Sequence, residues 1–444
     1  MNTIKNKFGL LKLFDWKLFV SLVLLALVPA IIQTVETFII STSVSVGDID
    51  VIGQIEWFDL IDETIKAFLI VPLYSILNSI LKKRDEEGFA RSTFKILLIV
   101  LGVYSLFSIA VLIYSESLIA FMNPNENDIS LMNSYLSLST VAFMVGIIVS
   151  YVNVVFVVLD KSRNVYFILG AKAAVTLISD FLIIPYLGVI GVAVSNIVIN
   201  AALSAFGLFI LFWKKSMKLC WYKKSDFRIA KDWLRIGGFS GVQQFVANLA
   251  YALMVVKMVN LVSESGNYWI SNNFIWGWLL IPITALAEVI KKDCKEGYGK
   301  LIQSNYYLIV IMVVVLWCLT IPLWPIFFRY VERIENYERI FQIVLIAFPF
   351  YVPYAFEQIP DSIFIGLGKT KYNFANTCIV NTLYYGVWFI LYKTNSIAFN
   401  MTAIIMMFGF GMVTSYLISI LEEKLLLKRE IAKLDRKEEE AEAA

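Results

Sequence analysis

The chain has 444 residues, of which 59% are hydrophobic and only 16% are charged, and its formal net charge is +3. Soluble domains are about one quarter charged, so this composition excludes an ordinary soluble domain. The sequence contains no histidine, which removes the commonest metal ligand and the usual proton shuttle. The four cysteines have no spacing typical of a metal or redox site. Any proton or sodium chemistry must therefore use carboxylates.

Apolar segments long enough to cross a bilayer as helices recur along the whole chain. We predict twelve spans, at 16–43, 57–80, 93–114, 134–158, 165–185, 187–213, 234–262, 268–290, 304–328, 338–363, 374–392 and 397–421. The first apolar segment is too long for the hydrophobic region of a signal peptide, so we interpret it as the first span.

Lysine and arginine are concentrated at the N-terminus and in the loops that follow even-numbered spans. The loops between them are poor in basic residues, except the loop after span nine, which holds Arg329, Arg333 and Arg339. Basic loops remain on the cytoplasmic side, so we expect both termini to be cytoplasmic in a multi-pass protein of the cell membrane.

Two short segments occur twice at nearly the same offset. Lys82–Phe89 is similar to Lys291–Tyr298, and Leu159–Arg163 is similar to Leu367–Lys371. Each pair lies between long apolar segments, which indicates a duplicated half. Six spans per half is an even number, so both halves enter the membrane from the same side. The expected fold is therefore an all-α polytopic membrane protein, with two six-helix lobes related by a pseudo-two-fold axis along the membrane normal.

The predicted domains follow from this duplication. The N-terminal lobe covers 1–213, a basic cytoplasmic linker covers 214–233, the C-terminal lobe covers 234–421, and a charged cytoplasmic tail covers 422–444.

Several motifs resemble those of the multidrug and toxic compound extrusion (MATE) transporters, in the superfamily that includes lipid-linked oligosaccharide flippases. Val35-Glu36-Thr37 is similar to that family's Val-Asp-Thr in span one, and Lys83 to Arg91 is similar to its loop after span two. Asp160–Arg163 resembles its Gly-Asp-Thr-Arg turn, although Leu159 replaces the glycine. Leu187–Ala193 resembles the Leu-Gly-x-x-Gly-x-Ala start of span six. The resemblance implies two lobes around a central cavity and cation-driven export of organic, often cationic, compounds.

The resemblance also implies a cation site in the N-terminal lobe, where the family combines an acid on span one with an Asn-x-x-x-Asp pair on span five. Here the acid is Glu36, and Thr176 and Asp180 form the second pair. Asn196 and Asn200 lie one helical turn apart on span six and could complete the coordination. Na⁺ favours oxygen ligands of this kind, whereas two adjacent carboxylates could instead share a proton. The alternative is that Asp180 bonds backbone near the break at Pro185.

Span two carries ionisable side chains that are costly inside a membrane. At helical spacing they form one stripe: Asp59, Asp62, Glu63 and Lys66. One interpretation is an anionic wall of a substrate cavity that attracts cations. The other is a self-neutralised structural cluster, because Asp62 and Glu63 have the spacing for ion pairs with Lys66.

Further substrate-cavity candidates lie in the C-terminal half. They are the polar and aromatic side chains of spans seven and eight, together with an acid on span ten: Gln243, Gln244, Asn248, Asn273, Trp276 and Glu357. Amides and indoles can hold flat organic cations by hydrogen bonds and cation–π contacts. The alternative for spans seven and eight is helix–helix contact and an interfacial aromatic belt.

These features favour a secondary active exporter that works by alternating access, coupled to Na⁺ or H⁺ and without a cofactor. The alternative is a flippase for a lipid-linked or other amphipathic precursor. The sequence shows no combination of nucleophile, base and metal ligands that would indicate an enzyme. We expect a monomer whose partners are a small organic substrate and the lipid bilayer, with no nucleic acid.

Overall fold

A computed structural model describes residues 14–43, 46–82, 86–124, 129–213, 227–294, 303–394, 396–398 and 400–442. Most of the predicted linker, 214–226, lies outside these residues, as do Lys83–Asp85 and the segment 295–302 that includes much of the second copy of the basic repeat.

The described residues are almost entirely helical. In the first half, the helices are Trp16–Ser43, Val46–Gln54, Glu56–Leu69, Val71–Leu81, Glu86–Met122, Ile129–Val158, Ser162–Leu187 and Val189–Trp213. In the second half, they are Phe227–Tyr251, Lys257–Leu261, Ser265–Phe274, Ile281–Asp293, Gln303–Thr320, Trp324–Ile326, Tyr337–Gly366, Lys371–Ile379, Tyr385–Lys393 and Met401–Glu442. Short π-helical turns join several of the second set.

Eleven of the described helical segments are long and apolar enough to cross a membrane. A bent pair, Ser265–Leu279 with Ile281–Asp293, makes a twelfth span with a bend of 49°. The twelve segments correspond in order to the twelve predicted spans, so the protein is a multi-pass membrane protein.

The proline-associated breaks in spans two and eight support the duplication. In span two the helix is interrupted at Ile70, two residues before Pro72, and in span eight at Leu280, two residues before Pro282. Both breaks follow from proline, which lacks an N–H and cannot continue the preceding hydrogen-bond ladder. At the second break the Trp317 indole donates to the Leu279 carbonyl at 2.9 Å, which satisfies one backbone group in the apolar layer.

The turns after spans four and ten are also equivalent. Asp160 and Gly368 both adopt a left-handed backbone conformation, with φ of 53° and 69°. The following amide closes each turn in the same way: Lys161 N–H donates to Phe156 O at 2.8 Å, and Lys369 N–H donates to Phe364 O at 2.7 Å. Glycine is favoured in this conformation, so Asp160 occupies a glycine-type position in the first copy.

The chain divides into two compact units. Unit N comprises Thr34–Trp269, and unit C comprises Met1–Gln33 with Ile270–Ala444. Span one therefore contributes its first half to unit C and its second half to unit N. These units are defined by contacts, whereas the predicted lobes were defined by chain order, so the predicted lobe boundaries stay a prediction.

In unit C, the start of span one is attached to the end of span eight. Asp15 forms an ion pair with Lys292 at 2.5 Å, and the Phe14 ring lies 6.5 Å from that of Tyr306. The hydrogen bond from Lys292 holds the pKa of Asp15 below its usual value, so this carboxylate stays charged at neutral pH. The two residues before span one thus contact spans eight and nine within unit C.

In unit N, spans two, three, four and six form a tightly packed core. Leu73, Val100, Ile147, Phe156 and Leu211 are completely buried there. Lipid is as apolar as these side chains, so the packing is stabilised mainly by van der Waals contact. Span seven joins this unit, and a β-carbon built at Gly237 would lie 2.5 Å from the Phe68 carbonyl oxygen.

Gly237→Ala is therefore expected to destabilise the protein by about 1–3 kcal/mol, because the obstructing atom belongs to the backbone and cannot rotate away. Gly238→Ala is the matched control, since its added methyl group would meet nothing within 4 Å. It should be neutral or stabilise by up to about 1 kcal/mol through helix propensity. Thermal unfolding of the purified variants in detergent measures both effects. Equal melting temperatures for the two would contradict this close packing.

Candidate functional site

The acid on span five is buried inside unit N. Asp180 is 3% exposed, and its Oδ1 accepts a hydrogen bond from Ser195 Oγ of span six at 2.5 Å. This carboxylate oxygen therefore bonds to a side chain of span six, whereas the alternative interpretation expected a bond to backbone near Pro185. Ser195 directly precedes Asn196 and was missed in the sequence, because a serine within an apolar span has no distinguishing pattern.

Glu36 of span one lies within electrostatic range of Asp180, so the two carboxylates repel each other when both are charged. Lys172, one of the exposed residues of span five, lies within range of Glu36 and partly offsets that repulsion. Thr176 stands one turn before Asp180, and its buried hydroxyl has no hydrogen-bond partner among the described residues. The predicted pair and the hydroxyl therefore share one region of unit N.

Asn200 has a different environment. Its amide donates to the Ala142 carbonyl of span four at 2.9 Å, next to Gly146. This contact joins spans four and six by a side chain–backbone hydrogen bond. The coordination roles predicted for Asn196 and Asn200 stay predictions.

The stripe on span two contains an ion pair and two exposed acids. Asp62 is 4% exposed and pairs with Lys66 at 2.5 Å, and it also accepts a hydrogen bond from Tyr104 of span three. Asp59 and Glu63 are exposed. Each of the two interpretations of the stripe therefore describes part of it: Asp62 is neutralised locally, whereas Asp59 and Glu63 keep the surface net negative.

Span seven completes the surroundings of the stripe. Asn248 donates to Leu60 O at 2.8 Å, to Thr64 Oγ1 at 3.2 Å and to Glu63 Oε2 at 3.4 Å. Gln244 in turn donates to Asn248 Oδ1 at 3.0 Å, and the neighbouring Gln243 is partly buried. Among Gln243, Gln244 and Asn248, it is Asn248 that contacts the acidic stripe of span two directly.

Tyr135 of span four lies near one acid of each group. Its buried hydroxyl lies within electrostatic range of both Glu36 and Asp59. One hydroxyl of span four thus experiences the charge of an acid from each group. No pattern in the sequence distinguishes this residue, because its surroundings depend on how the helices pack.

The remaining cavity candidates lie in unit C. Trp276 is exposed and contacts the Tyr354 ring at 5.6 Å, and Asn273 Nδ2 is buried without a hydrogen-bond partner among the described residues. Glu357 is 4% exposed and accepts hydrogen bonds from Ser415 and, at 3.5 Å, from Asn376. It belongs to a buried polar cluster of spans ten to twelve.

This cluster extends to a second acid. Ser419 Oγ donates to Asp361 Oδ1 at 2.8 Å and accepts from Asn376 Nδ2 at 2.8 Å. One amide and two hydroxyls thus connect Glu357 with Asp361. These partners were missed, because small polar residues on spans eleven and twelve are equally typical of helix–helix contacts.

Comparison with known proteins places this geometry in a structural context. No protein-family model and no curated protein sequence matches the chain. Several solved structures match the chain. An inward-facing multidrug resistance MATE family transporter of the MOP superfamily matches with a TM-score of 0.75 and 15% identity, over 90% of this chain and 94% of that chain.

The fold is that of the MATE transporters. A MATE structure in complex with Br-NRF matches with a TM-score of 0.61 and 15% identity, over 93% of this chain and 96% of the other. A MOP superfamily transporter from Pyrococcus furiosus, described as having a binding pocket of reverse polarity that suggests a different function, matches with a TM-score of 0.67 and 16% identity, over the same shares. The resemblance and the fold class expected from the sequence are therefore confirmed at the level of the fold.

The ion pair of span two gives a test of the stripe. Lys66→Met should destabilise the protein by about 1–3 kcal/mol, because it leaves the buried Asp62 carboxylate without its counter-charge while the Lys66 end of the pair is only partly buried. Asp62→Asn in the Lys66→Met background should recover most of the loss, since the amide is neutral and still accepts from Tyr104. Melting temperatures in detergent measure both. A double variant no more stable than Lys66→Met would show that the charge of Asp62 is not the cause.

Proposed function

We propose that this protein is a cation-coupled exporter of organic cations that works by alternating access. The fold supports a transporter, and the single observation that supports cation coupling is that the Tyr135 hydroxyl of unit N lies within electrostatic range of both Glu36 and Asp59. Glu36 in turn lies within electrostatic range of Asp180. Intramembrane acids are rare and costly, and they mark ion and substrate pathways.

This arrangement suggests how coupling would work. A proton or Na⁺ at Glu36 and Asp180 neutralises charge beside Tyr135 and so reduces the negative potential that Asp59 experiences. A cationic substrate held by Asp59 and Glu63 is then bound less tightly. Each cation therefore favours release of the other, which is the thermodynamic requirement for exchange.

The residues suit either coupling ion. Two carboxylates with a buried hydroxyl offer the hard oxygen ligands that Na⁺ prefers, and two adjacent acids can also share one proton. The described residues contain no group of three or more acids or cysteines placed to hold a resident metal. We assign the ion as cargo that is exchanged for substrate, with both termini on the cytoplasmic side of the cell membrane.

A flippase for an anionic lipid-linked precursor is the alternative within this fold. The reverse-polarity pocket described for the Pyrococcus furiosus transporter supports the idea that this fold serves substrates of different charge. Here three acids and one lysine on span two favour a cation. Transport of a cationic dye but not an anionic dye of similar size would separate the two functions.

Asp180→Asn is expected to abolish gradient-driven efflux of a cationic dye from proteoliposomes while expression stays intact. Coupling between two sites is typically worth about 5- to 150-fold, and the whole of that gain should disappear. Efflux is measured separately under a sodium gradient and a proton gradient, which also identifies the ion. Glu116→Gln, which changes an exposed acid on span three, is the control and should behave as the unmodified protein. Undiminished efflux by Asp180→Asn would exclude this mechanism.

A further inference from the structure

The segment after span nine contains arginines on the face opposite the lysine-rich loops. Arg329, Arg333 and Arg339 lie within eleven residues there, and all three side chains reach the surface to some degree. Basic residues are disfavoured on that face of a membrane protein, so their presence requires an explanation.

Two of these arginines line a cavity of about 590 Å³ in unit C. Its walls are formed by Arg329, Tyr330, Arg333, Ile334, Glu335 and Tyr337. This volume is within the range of roughly 300–1,000 Å³ that is usual for small-molecule sites. Arg339 does not line it.

The cavity has a fixed wall. The Arg329 guanidinium lies 5.2 Å from the Tyr330 ring and 5.4 Å from the Tyr337 ring, and it donates to the Tyr337 hydroxyl at 3.5 Å. Ile334 is buried, and its N–H donates to the Phe328 carbonyl at 3.0 Å. These contacts favour one orientation of the Arg329 side chain at the cavity, which lowers the entropic cost of binding.

Arg333 occupies an unfavourable backbone position. Its φ is 54°, the left-handed conformation that normally follows a helix end and is normally taken by glycine. A glycine would relieve this local strain, whereas arginine supplies a guanidinium at the cavity wall. Strained residues of this kind are concentrated at ligand sites.

The acids of this segment are Glu332, Glu335 and Glu338, and of these only Glu335 lines the cavity. Glu332 is buried just beyond the end of span nine, and burial raises its pKa to about 8. Glu335 lines the cavity as an exposed carboxylate, so the walls present two cations and one anion.

The cavity also lies at the edge of the membrane layer. Span nine ends at Val331, and the side chains of Leu323, Ile326, Tyr330 and Val331 are exposed apolar groups that lipid would cover. A ligand with a charged group in the cavity and acyl chains along span nine would satisfy both surfaces.

We propose that this cavity binds the phosphate group of a membrane phospholipid, held by Arg329 and Arg333. Paired guanidinium groups match the oxygens of a phosphate by charge-assisted hydrogen bonds. Glu335 favours a headgroup that also carries an ammonium group, such as phosphoethanolamine. The site is independent of the transport pathway proposed above.

The test is calorimetric binding to the delipidated full-length protein in a non-ionic detergent. The probes are dihexanoyl phosphatidylethanolamine, dihexanoyl phosphatidylglycerol, dihexanoylglycerol and inorganic phosphate. We expect the two phospholipids to bind, the ethanolamine lipid more tightly, and the phosphate-free dihexanoylglycerol to bind at least about tenfold more weakly, as expected when a charged hydrogen bond is lost. Inorganic phosphate that binds as tightly as either lipid would overturn the assignment to lipid.

Arg333→Gly is the decisive variant, because the glycine relieves the backbone strain while it removes the guanidinium. It should keep or raise the melting temperature and still weaken phospholipid binding about tenfold. Arg329→Gln should weaken binding similarly, and Glu335→Gln should remove the preference for ethanolamine. Arg339→Gln is the matched control and should bind as the unmodified protein. Unchanged phospholipid affinity in both Arg333→Gly and Arg329→Gln would overturn the proposal.

Discussion

The cost of placing an ionisable side chain in a membrane is the constraint on which the rest of this structure depends. The bilayer offers no water to a carboxylate, so each acid within a span needs a local partner. Asp62 has Lys66 and Tyr104, Asp180 has Ser195, and Glu357 has Ser415 and Asn376. None of these partners is a neighbour in the sequence except Lys66, so the acids are satisfied by the packing of whole helices.

Different acids are satisfied to different degrees, and this difference suggests which of them would act in the proposed transport. Asp62 is already paired with the Lys66 ammonium group, so a second cation would stabilise it little. Asp59 and Glu63 are exposed on the same helix, and Glu36 lies within electrostatic range of Asp180 with only partial compensation from Lys172. A mobile cation would offset the negative charge of these last four acids, and the proposed function therefore depends on them.

The sequence was sufficient to predict the fold because the fold depends on periodic and composition-based signals. Apolar length predicted the spans, and the equivalent positions of Pro72 and Pro282 mark the same break in both copies. The turn at Asp160 was recognisable although its glycine was missing, because its charged neighbours were kept. The 49° bend of span eight was not predicted, since a proline permits bending but does not fix its angle.

The candidate site was only partly predictable for a physical reason. An acid inside an apolar segment is conspicuous, whereas Tyr104, Tyr135 and Ser195 are ordinary residues of membrane helices. Their importance depends on which helices pack against each other, and no pattern in the amino-acid sequence predicts that packing. The role of Asn200 illustrates the converse, because a conspicuous polar residue in span six bonds to the backbone of span four.

The proposed coupling requires that the acids of spans one and five and the stripe of span two share one electrostatic environment. Equilibrium binding of a cationic dye to the purified protein, followed by fluorescence polarisation while Na⁺ concentration and pH are varied, is a direct test of this requirement. We expect either Na⁺ or protons to raise the dissociation constant of the dye, and Asp180→Asn to remove this dependence. A dye affinity that is independent of both ions, or an ion dependence that persists in Asp180→Asn, would contradict it.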